Sequence, residues 1–175
     1  MYEQIISYGL DSIYVCKDNG IPIPIKGAID ISINISNDIT YGYIKGNKKI
    51  AMGVEREATG RMTILGLSFD NLSLLLGYKR DNRGGIKIDD GLNAPRLHLL
   101  FSKNLGDGTK QYYHIYNCRF NIPETSTSTM IEGQLDNNNL ELEFSIEYSD
   151  KYESYYYMVN SNDCNNFFTE LIYPN

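Results

Sequence analysis

The segment Ile29–Ser36 constrains the fold most, because apolar and polar residues alternate in it at every position. A period of two predicts a half-buried β-strand with one solvated face. The segment Leu140–Tyr148 has the same alternation and places Glu141, Glu143 and Glu147 on its outward face. Both segments therefore predict sheet structure rather than helices.

Further short strands follow along the chain, separated by turn sequences such as Asp18-Asn19-Gly20 and Gly106-Asp107-Gly108. The remaining predicted strands are Leu10–Lys17, Ala51–Glu57, Arg61–Leu67, Arg96–Ser102, Tyr112–Ile122 and Tyr155–Val159. Strands at this spacing are typical of an antiparallel β-sandwich or barrel. A chain of 175 residues is long enough for one such domain, which we assign to residues 1–175.

Two short flanking α-helices are predicted as lids over the open ends of the β core. The first is capped by Ser68 or Asp70 and ends at Gly77. The second follows the Asn162-Asp163 cap, and one helical face carries its apolar residues: Cys164, Phe167, Phe168 and Leu171. A ligand groove along these apolar stripes is the alternative interpretation.

The sequence carries no motif for a metal, a nucleotide or a catalytic nucleophile, so we expect no cofactor and no enzyme activity. Three cysteines, Cys16, Cys118 and Cys164, lack zinc-ligand spacing and are expected to be buried thiols in a reducing compartment. The sequence shows no signal peptide and no apolar run near the ~18 residues of a membrane span, so we expect a soluble protein made in a cytoplasm.

The two histidines, His98 and His114, each fall inside a predicted strand. His114 and Cys118 are predicted on one strand face, but four residues of extended chain separate them by roughly 13 Å, too far for a nucleophile and its base. His98 is expected to point away from the face that holds Leu97 and Leu99. We therefore assign no catalytic residue.

Charge is distributed unevenly in this chain of net charge -6. Residues 1–119 hold 15 basic and 12 acidic residues, whereas residues 120–175 hold one basic residue, Lys151, and 10 acidic ones. The net charge argues against a protein that wraps nucleic acid from outside. Either the asymmetry is a solvated surface without a partner, or one surface of the molecule complements another surface of its copy. Such heterologous contacts generate rings or filaments.

The order of segments resembles the major tail proteins, or tail tube proteins, of long, non-contractile-tailed bacteriophages. The opening Tyr8-Gly9-Leu10 with Tyr14 resembles the family's start, and the Leu-Gly-Tyr-Lys and Tyr-Asn-Cys pieces follow in order. The matching segments are Tyr8–Val15, Pro24–Ala28, Tyr41–Tyr43, Gly60–Ile64, Leu75–Lys79, Leu99–Phe101, Tyr116–Cys118, Leu140–Leu142, Asn166–Phe168 and Tyr173–Pro174. They span nearly the whole chain. Between Gly46 and Glu57 the chain is more charged than the family's usual small, polar stretch.

The resemblance implies a structural protein of the virion, assembled in the host bacterial cytoplasm, with a fold similar to type VI secretion tube proteins. It implies six copies in a ring and rings stacked into a tube through which DNA passes. Its partners would then be its own copies and other tail proteins: the tape measure, tail terminator and distal tail proteins. DNA would pass in transit without specific binding, and no membrane is involved.

Two surfaces are the candidate sites. By resemblance, a long loop at about Asn37 to Glu57 reaches the neighbouring ring, and its candidate contact residues are Tyr41, Tyr43, Lys45, Lys48, Lys49, Arg56 and Glu57. The acidic strand with Glu141, Glu143 and Glu147 is a candidate lumen wall, since an acidic or neutral wall gives phosphate no grip. An outer-face position for this strand is the alternative.

Two other functions fit the same sequence. The first is the tube of a phage-derived bacteriocin particle, which has the same physics. The second is a free-standing carbohydrate- or protein-binding sandwich with tyrosines as stacking platforms. The absence of tryptophan counts against a carbohydrate module, and the cluster of Tyr152, Tyr155, Tyr156 and Tyr157 is read more simply as an interface or core strand.

Overall fold

The chain was analysed as a computed structural model, which describes residues 7–44, 48–88, 94–123 and 139–174, and the backbone alone for residues 7–8, 37–44 and 48–56. The strands are β1 (Ser7–Cys16), β2 (Ile23–Pro24), β3 (Ala28–Ile44), β4 (Lys48–Ile64), β5 (Leu97–Leu105), β6 (Lys110–Phe120), β7 (Leu140–Ile146) and β8 (Tyr156–Asn160). They form one sheet in the order β2-β1-β5-β6-β7-β4-β3, and β8 pairs with β6. Every pairing between these strands is antiparallel. The predicted mainly antiparallel β fold is confirmed.

The main core lies on the inner face of this sheet. Strands from both halves of the sheet order contribute to it, so the sheet bends around one apolar interior. Its buried members include Ile13, Val15, Met62, Ile64, Leu97, Leu99, Phe101, Ile115, Cys118, Phe120, Leu142, Phe144 and Ile146. These positions follow the period of two that the sequence predicts for half-buried strands.

A second, smaller core lies on the outer face of β1, β5 and β6. Cys16 and Leu100 are buried there, and Cys164 and Phe167 from the end of the chain cover them. Both faces of these central strands are therefore packed, which explains why the first six residues of β5 are buried without alternation.

Strands β3 and β4 extend further than the sequence predicts. The predicted strands Ala51–Glu57 and Arg61–Leu67 fall on the single strand β4, so their separation was wrong, and β4 ends at Ile64, before Leu67. Gly60 lies inside β4, opposite Ile33 of β3 and Phe144 of β7. The Phe144 ring occupies the space beside it that a side chain would fill, so this glycine serves close packing within a strand.

The first predicted helix is confirmed as α1 (Phe69–Leu76). Ser68 caps it, because its hydroxyl accepts a hydrogen bond from the backbone N–H of Asn71 at 3.2 Å. Gly77 ends the helix at a φ of 74°, a left-handed conformation that glycine adopts without strain. Leu75 and Leu76 are buried in the main core, as expected for a lid.

Replacing Ser68 with alanine is expected to lower the free energy of unfolding by about 1 kcal/mol, because the N–H of Asn71 loses its acceptor. Ser68→Asp retains an acceptor and should remain close to wild type. Thermal melts of the three proteins would measure the effect as a shift of about 2–4 °C for a chain of this size. Equal melting temperatures for Ser68→Ala and wild type would contradict the capping role.

The second predicted helix is not formed. The chain makes a single 3-10 turn at Ser161–Asp163 and then continues in turns and irregular backbone. This stretch is rich in asparagine and aspartate, whose side chains compete for backbone hydrogen bonds and favour turns over helices. The apolar pattern was nevertheless informative, because Cys164 and Phe167 are buried, and Phe168 and Leu171 pack beside them.

Candidate interaction surfaces

The segment predicted as a long loop is a two-stranded ribbon. Strand β7 pairs with β4 at Thr59–Ile64, whereas the earlier part of β4 pairs only with β3 in the described part of the sheet. The paired ribbon runs from Ser36 opposite Glu57 to Ile44 opposite Lys48, which is roughly 27 Å at the rise of antiparallel strands. The loop prediction was therefore wrong about the backbone.

The ribbon carries the candidate ring-contact residues at defined register positions. Tyr43 lies opposite Lys49, and the other pairs are Tyr41 with Ala51, Ile44 with Lys48, Asn37 with Arg56, and Ser36 with Glu57. Glu57 is exposed. Lys45 lies outside the described residues. The fold thus places six of the seven candidates on one ribbon, and their role in a contact stays a prediction.

The outer edge of β3 ends the sheet, since β3 pairs only with β4 within the residues that the structure describes. A groove of about 510 Å³ lies beside it, between β3 and strands β5, β6 and β8. Side chains of Ile33, Phe101, Tyr113, Tyr156 and Met158 are among those that line it. Ser32 and Lys103 line it as well, so the groove is of mixed polarity. An unpaired strand edge is a typical place for a further strand to add.

The acidic strand has the predicted alternation but is compensated by arginines. Glu141 and Glu143 are exposed, and the residues between and beyond them are buried. Arg61 lies 3.4 Å from Glu141, and Glu147 lies 2.7 Å from Arg96 and 3.5 Å from Arg119. Glu143 has no ion pair among the described residues. Three arginines therefore offset much of the charge that the three glutamates bring to this surface.

A chain of hydrogen bonds through both histidines was not foreseen from the sequence. Nε2 of His114 lies 3.0 Å from Nδ1 of His98, and Nδ1 of His114 lies 2.9 Å from the carbonyl oxygen of Ile172. Nε2 of His98 lies 2.6 Å from Oδ1 of Asp18. Because β5 and β6 pair with Leu100 opposite His114, the two rings meet although 16 positions separate them in the sequence.

Both imidazoles are buried, His98 with 5% and His114 with 0% of its surface exposed. Burial lowers the pKa of His114 to about 4, against a small opposing effect of the hydrogen bond to Ile172. Burial also lowers the pKa of His98, although the Asp18 carboxylate acts in the other direction. Burial therefore favours the neutral form of both rings, whereas the 2.6 Å contact with the Asp18 carboxylate favours a proton on Nε2 of His98.

The prediction that His114 and Cys118 share a strand face was wrong. Asn117 adopts a φ of 48°, and the pairing of β5 with β6 shifts by one residue between Leu97 and Leu99. This irregularity turns Cys118 into the main core, while His114 points to the other face. His98 points away from Leu97 and Leu99, as expected.

All three cysteines are free and buried, as predicted. Burial raises the pKa of Cys16 to about 11 and raises that of Cys118 further, so neither is a reactive thiolate. Residues 7–44, 48–88, 94–123 and 139–174 contain no group of three or more metal-ligating side chains. No helix in these ranges is long and apolar enough to cross a membrane.

The tyrosines near the end of the chain pack against their own fold. Tyr152 stacks on Tyr173 with ring centroids 4.4 Å apart, and Tyr155 and Tyr156 pack against the main core. Faces used in this way are not free as platforms for a sugar ring, which favours the core interpretation of this cluster.

Comparisons with known proteins show likeness to solved structures but not to sequence families. No protein-family model and no curated protein sequence matches the chain. Among solved structures, the chain is similar to a component of the anti-feeding prophage (AFP) baseplate, determined by cryo-EM and 6-fold symmetrised. The identity is 12% and the TM-score 0.48, over 91% of this chain and 97% of that chain.

Proposed function

We propose that this chain is a structural subunit of a phage tail, which assembles from six copies into a ring and from stacked rings into the tube. In this proposal it resides in the virion, forms in the host cytoplasm, and contacts its own copies and neighbouring tail proteins. The basis is the ordered resemblance along the sequence together with the surfaces described above.

The observation that carries the proposal is the β3–β4 ribbon with its unpaired outer edge. A 17-residue edge strand is a liability in a free monomer, because its backbone groups invite pairing with another chain. A subunit that completes its sheet with the next copy removes this liability. The groove beside residues 31–35 of the same strand, which both apolar and polar side chains line, gives an added strand a surface on which to pack.

Charge complementarity supports contacts between copies. The ribbon carries Lys48 and Lys49 at its tip, whereas Arg56 lies near its base together with the acidic residues Asp38, Glu55 and Glu57. The last 56 residues of the chain carry 10 acidic residues against one basic residue. A basic ribbon tip that meets an acidic surface of another copy makes a heterologous contact, which propagates into rings or stacks.

The arrangement of the acidic strand also fits passage of DNA. Arginines offset Glu141 and Glu147, and the surface of β7 is close to neutral around an exposed Glu143. Such a surface does not attract phosphate groups, and DNA that approaches it releases few counterions, so the surface has little affinity for DNA.

Electron microscopy of the purified chain tests the proposal, with light scattering across a salt series on the same samples. We expect rings or hollow tubes at high protein concentration. The double variant Lys48→Glu, Lys49→Glu should need about tenfold or more protein to assemble, because like charges then face each other across the contact. Added salt should weaken assembly of the wild type, which has opposite charges at the contact, but should not weaken assembly of the variant, because salt screens the repulsion between like charges.

A double variant with the same charge change elsewhere serves as control. Lys79 and Lys87 are exposed and lie outside the ribbon, so Lys79→Glu, Lys87→Glu should assemble like wild type. A ribbon variant that forms tubes at the same protein concentration as wild type, with the same response to salt, would contradict the charge contact. A persistent monomer that binds sugars on a glycan array would instead favour the binding-module alternative.

A further inference from the structure

The hydrogen bonds that join Asp18, His98, His114 and Ile172 can all form only when the two imidazole rings carry a particular number of protons. The carbonyl of Ile172 only accepts, so Nδ1 of His114 carries a proton and donates to it. Nε2 of a neutral His114 then holds a lone pair, which accepts from the Nδ1–H of His98. This leaves Nε2 of His98 beside the Asp18 carboxylate.

One extra proton completes this chain, whereas two break it. A proton on Nε2 of His98 makes the bond to Asp18 and leaves every other hydrogen bond in place. A second extra proton belongs on Nε2 of His114, where it would face the Nδ1–H of His98 across 3.0 Å. Two donors cannot hydrogen-bond to each other, and two charged rings repel each other at this distance.

The groups around the pair offer no second counter-ion. In the described part of the chain, six titratable or charged side chains face the two histidines or the residues that contact them: Asp18, Cys16, Tyr116, Tyr152, Tyr173 and Lys151. Tyr116 and the thiol of Cys16 are neutral below pH 8, since burial raises the pKa of Tyr116 to about 12 and that of Cys16 to about 11, and burial also raises the pKa of Tyr173. Asp18, 74% exposed, is the single anion of the set, and Lys151 adds a positive charge.

The histidine pair holds the end of the chain onto the outer face of the sheet. In the described part of the chain, residues 161–174 are hydrogen-bonded to the sheet near both ends: the hydroxyl of Ser161 accepts from the backbone N–H of Lys110 at 3.0 Å, and the carbonyl of Ile172 accepts from His114 at 2.9 Å. This C-terminal segment, residues 161–174, covers Cys16 and Leu100 with Cys164 and Phe167. Loss of the hydrogen bond to Ile172 therefore weakens the contact between this segment and the sheet.

We infer that the two histidines form an acid-sensitive latch: residues 161–174 stay docked while the pair holds at most one extra proton, and the segment leaves the sheet when both rings are charged. The lowered pKa of each ring gives the sign. An exposed histidine takes up its proton near pH 6.5, whereas the docked pair does so at lower pH, so acid favours the undocked state. Undocking uncovers the apolar outer face of β1, β5 and β6. The inference does not depend on the proposed tail function.

Hydrogen exchange measured by mass spectrometry between pH 7.5 and pH 4 tests the latch on the full chain. After correction for intrinsic exchange rates, residues 161–174 should lose protection on the order of tenfold or more as the pH falls through this range. Residues 97–105 of β5 serve as an internal control and should keep theirs. Equal loss in both segments, or no loss in either, would overturn the inference.

His114→Asn is the matched variant, because its side-chain amide donates to the Ile172 carbonyl but does not titrate. In this variant, the protection of residues 161–174 against hydrogen exchange should change with pH no more than the protection of β5 does. The same steep loss in this variant would count against the latch. If the variant does not fold, NMR on wild type decides: charging of both imidazole rings must coincide with shifts of the Tyr173 and Ile172 resonances, and charging without such shifts would refute the latch.

Discussion

Replacing Gly60 with alanine is expected to lower the free energy of unfolding by about 1–3 kcal/mol, the usual cost of overpacking a well-packed interior. The added Cβ would lie 2.3 Å from Cζ of Phe144 and 2.9 Å from the carbonyl oxygen of Ser32. Phe144 is 1% exposed, so its ring has no free space to enter. Urea denaturation monitored by circular dichroism gives the difference in stability.

Two further variants separate the clash from a general effect of replacing glycine. Gly66→Ala is the control, because its Cβ would meet no atom within 4 Å, and its stability should match or slightly exceed wild type. Phe144→Leu removes the ring atoms that clash. In the double variant Gly60→Ala, Phe144→Leu the loss should therefore be smaller than the sum of the single losses. Additive losses would show that the ring is not the cause.

Gly60 also shows where a sequence pattern misleads. The alternation of apolar residues predicted the faces of β7 and of β3 from Ile31 onward, because one buried face imposes a period of two. It was wrong for Ile29, which is exposed because the pairing of β3 with β4 is irregular between Ala28 and Asp30. A glycine between two apolar runs is read as a break, since its usual roles are in turns. Here the missing side chain accommodates a ring from β7, a contact between residues 84 positions apart. Local pattern alone does not contain that contact.

The histidine pair was missed for a related reason. Each histidine was visible as a polar residue in a strand, and the outward direction of His98 was predicted correctly. Their meeting depends on the register of β5 with β6 and on the irregularity at Asn117, which changes the face of Cys118 but not that of His114. Register is a property of paired strands, and the sequence constrains it only through the faces that must be buried.

For the candidate ring-contact surface, the sequence predicted the charged residues better than it predicted the backbone conformation. The concentration of basic residues around Lys48 and Lys49 is a direct reading of the sequence. The extended ribbon is not, because the loop at about Asn37 to Glu57 followed from the family resemblance, although the residues themselves predicted a strand at Ala51–Glu57. Continuous pairing from Ser36 to Ile44 with β4 stabilises it as a hairpin.

Replacing Phe167 with alanine is expected to reduce stability by about 3–5 kcal/mol, the cost of removing a large buried aromatic side chain. Phe167 is 1% exposed and stacks on Tyr112 with centroids 4.7 Å apart and planes 9° from parallel. Its loss opens a cavity between the C-terminal segment and the outer face of the sheet. Denaturant melts of the variant and of wild type measure the change.

Phe69→Ala provides the matched control, because the same atoms are removed from a side chain that is 56% exposed, and its effect should stay within about 1 kcal/mol. The slope of unfolding against denaturant distinguishes two ways in which Phe167→Ala can act. If the C-terminal segment unfolds locally before the sheet, the slope falls, since less surface is exposed in the main transition. An unchanged slope with the full loss of stability means that the segment and the sheet unfold together. Equal effects of the two phenylalanine variants would contradict the assignment of Phe167 as the anchor of this segment, because burial is the difference between them.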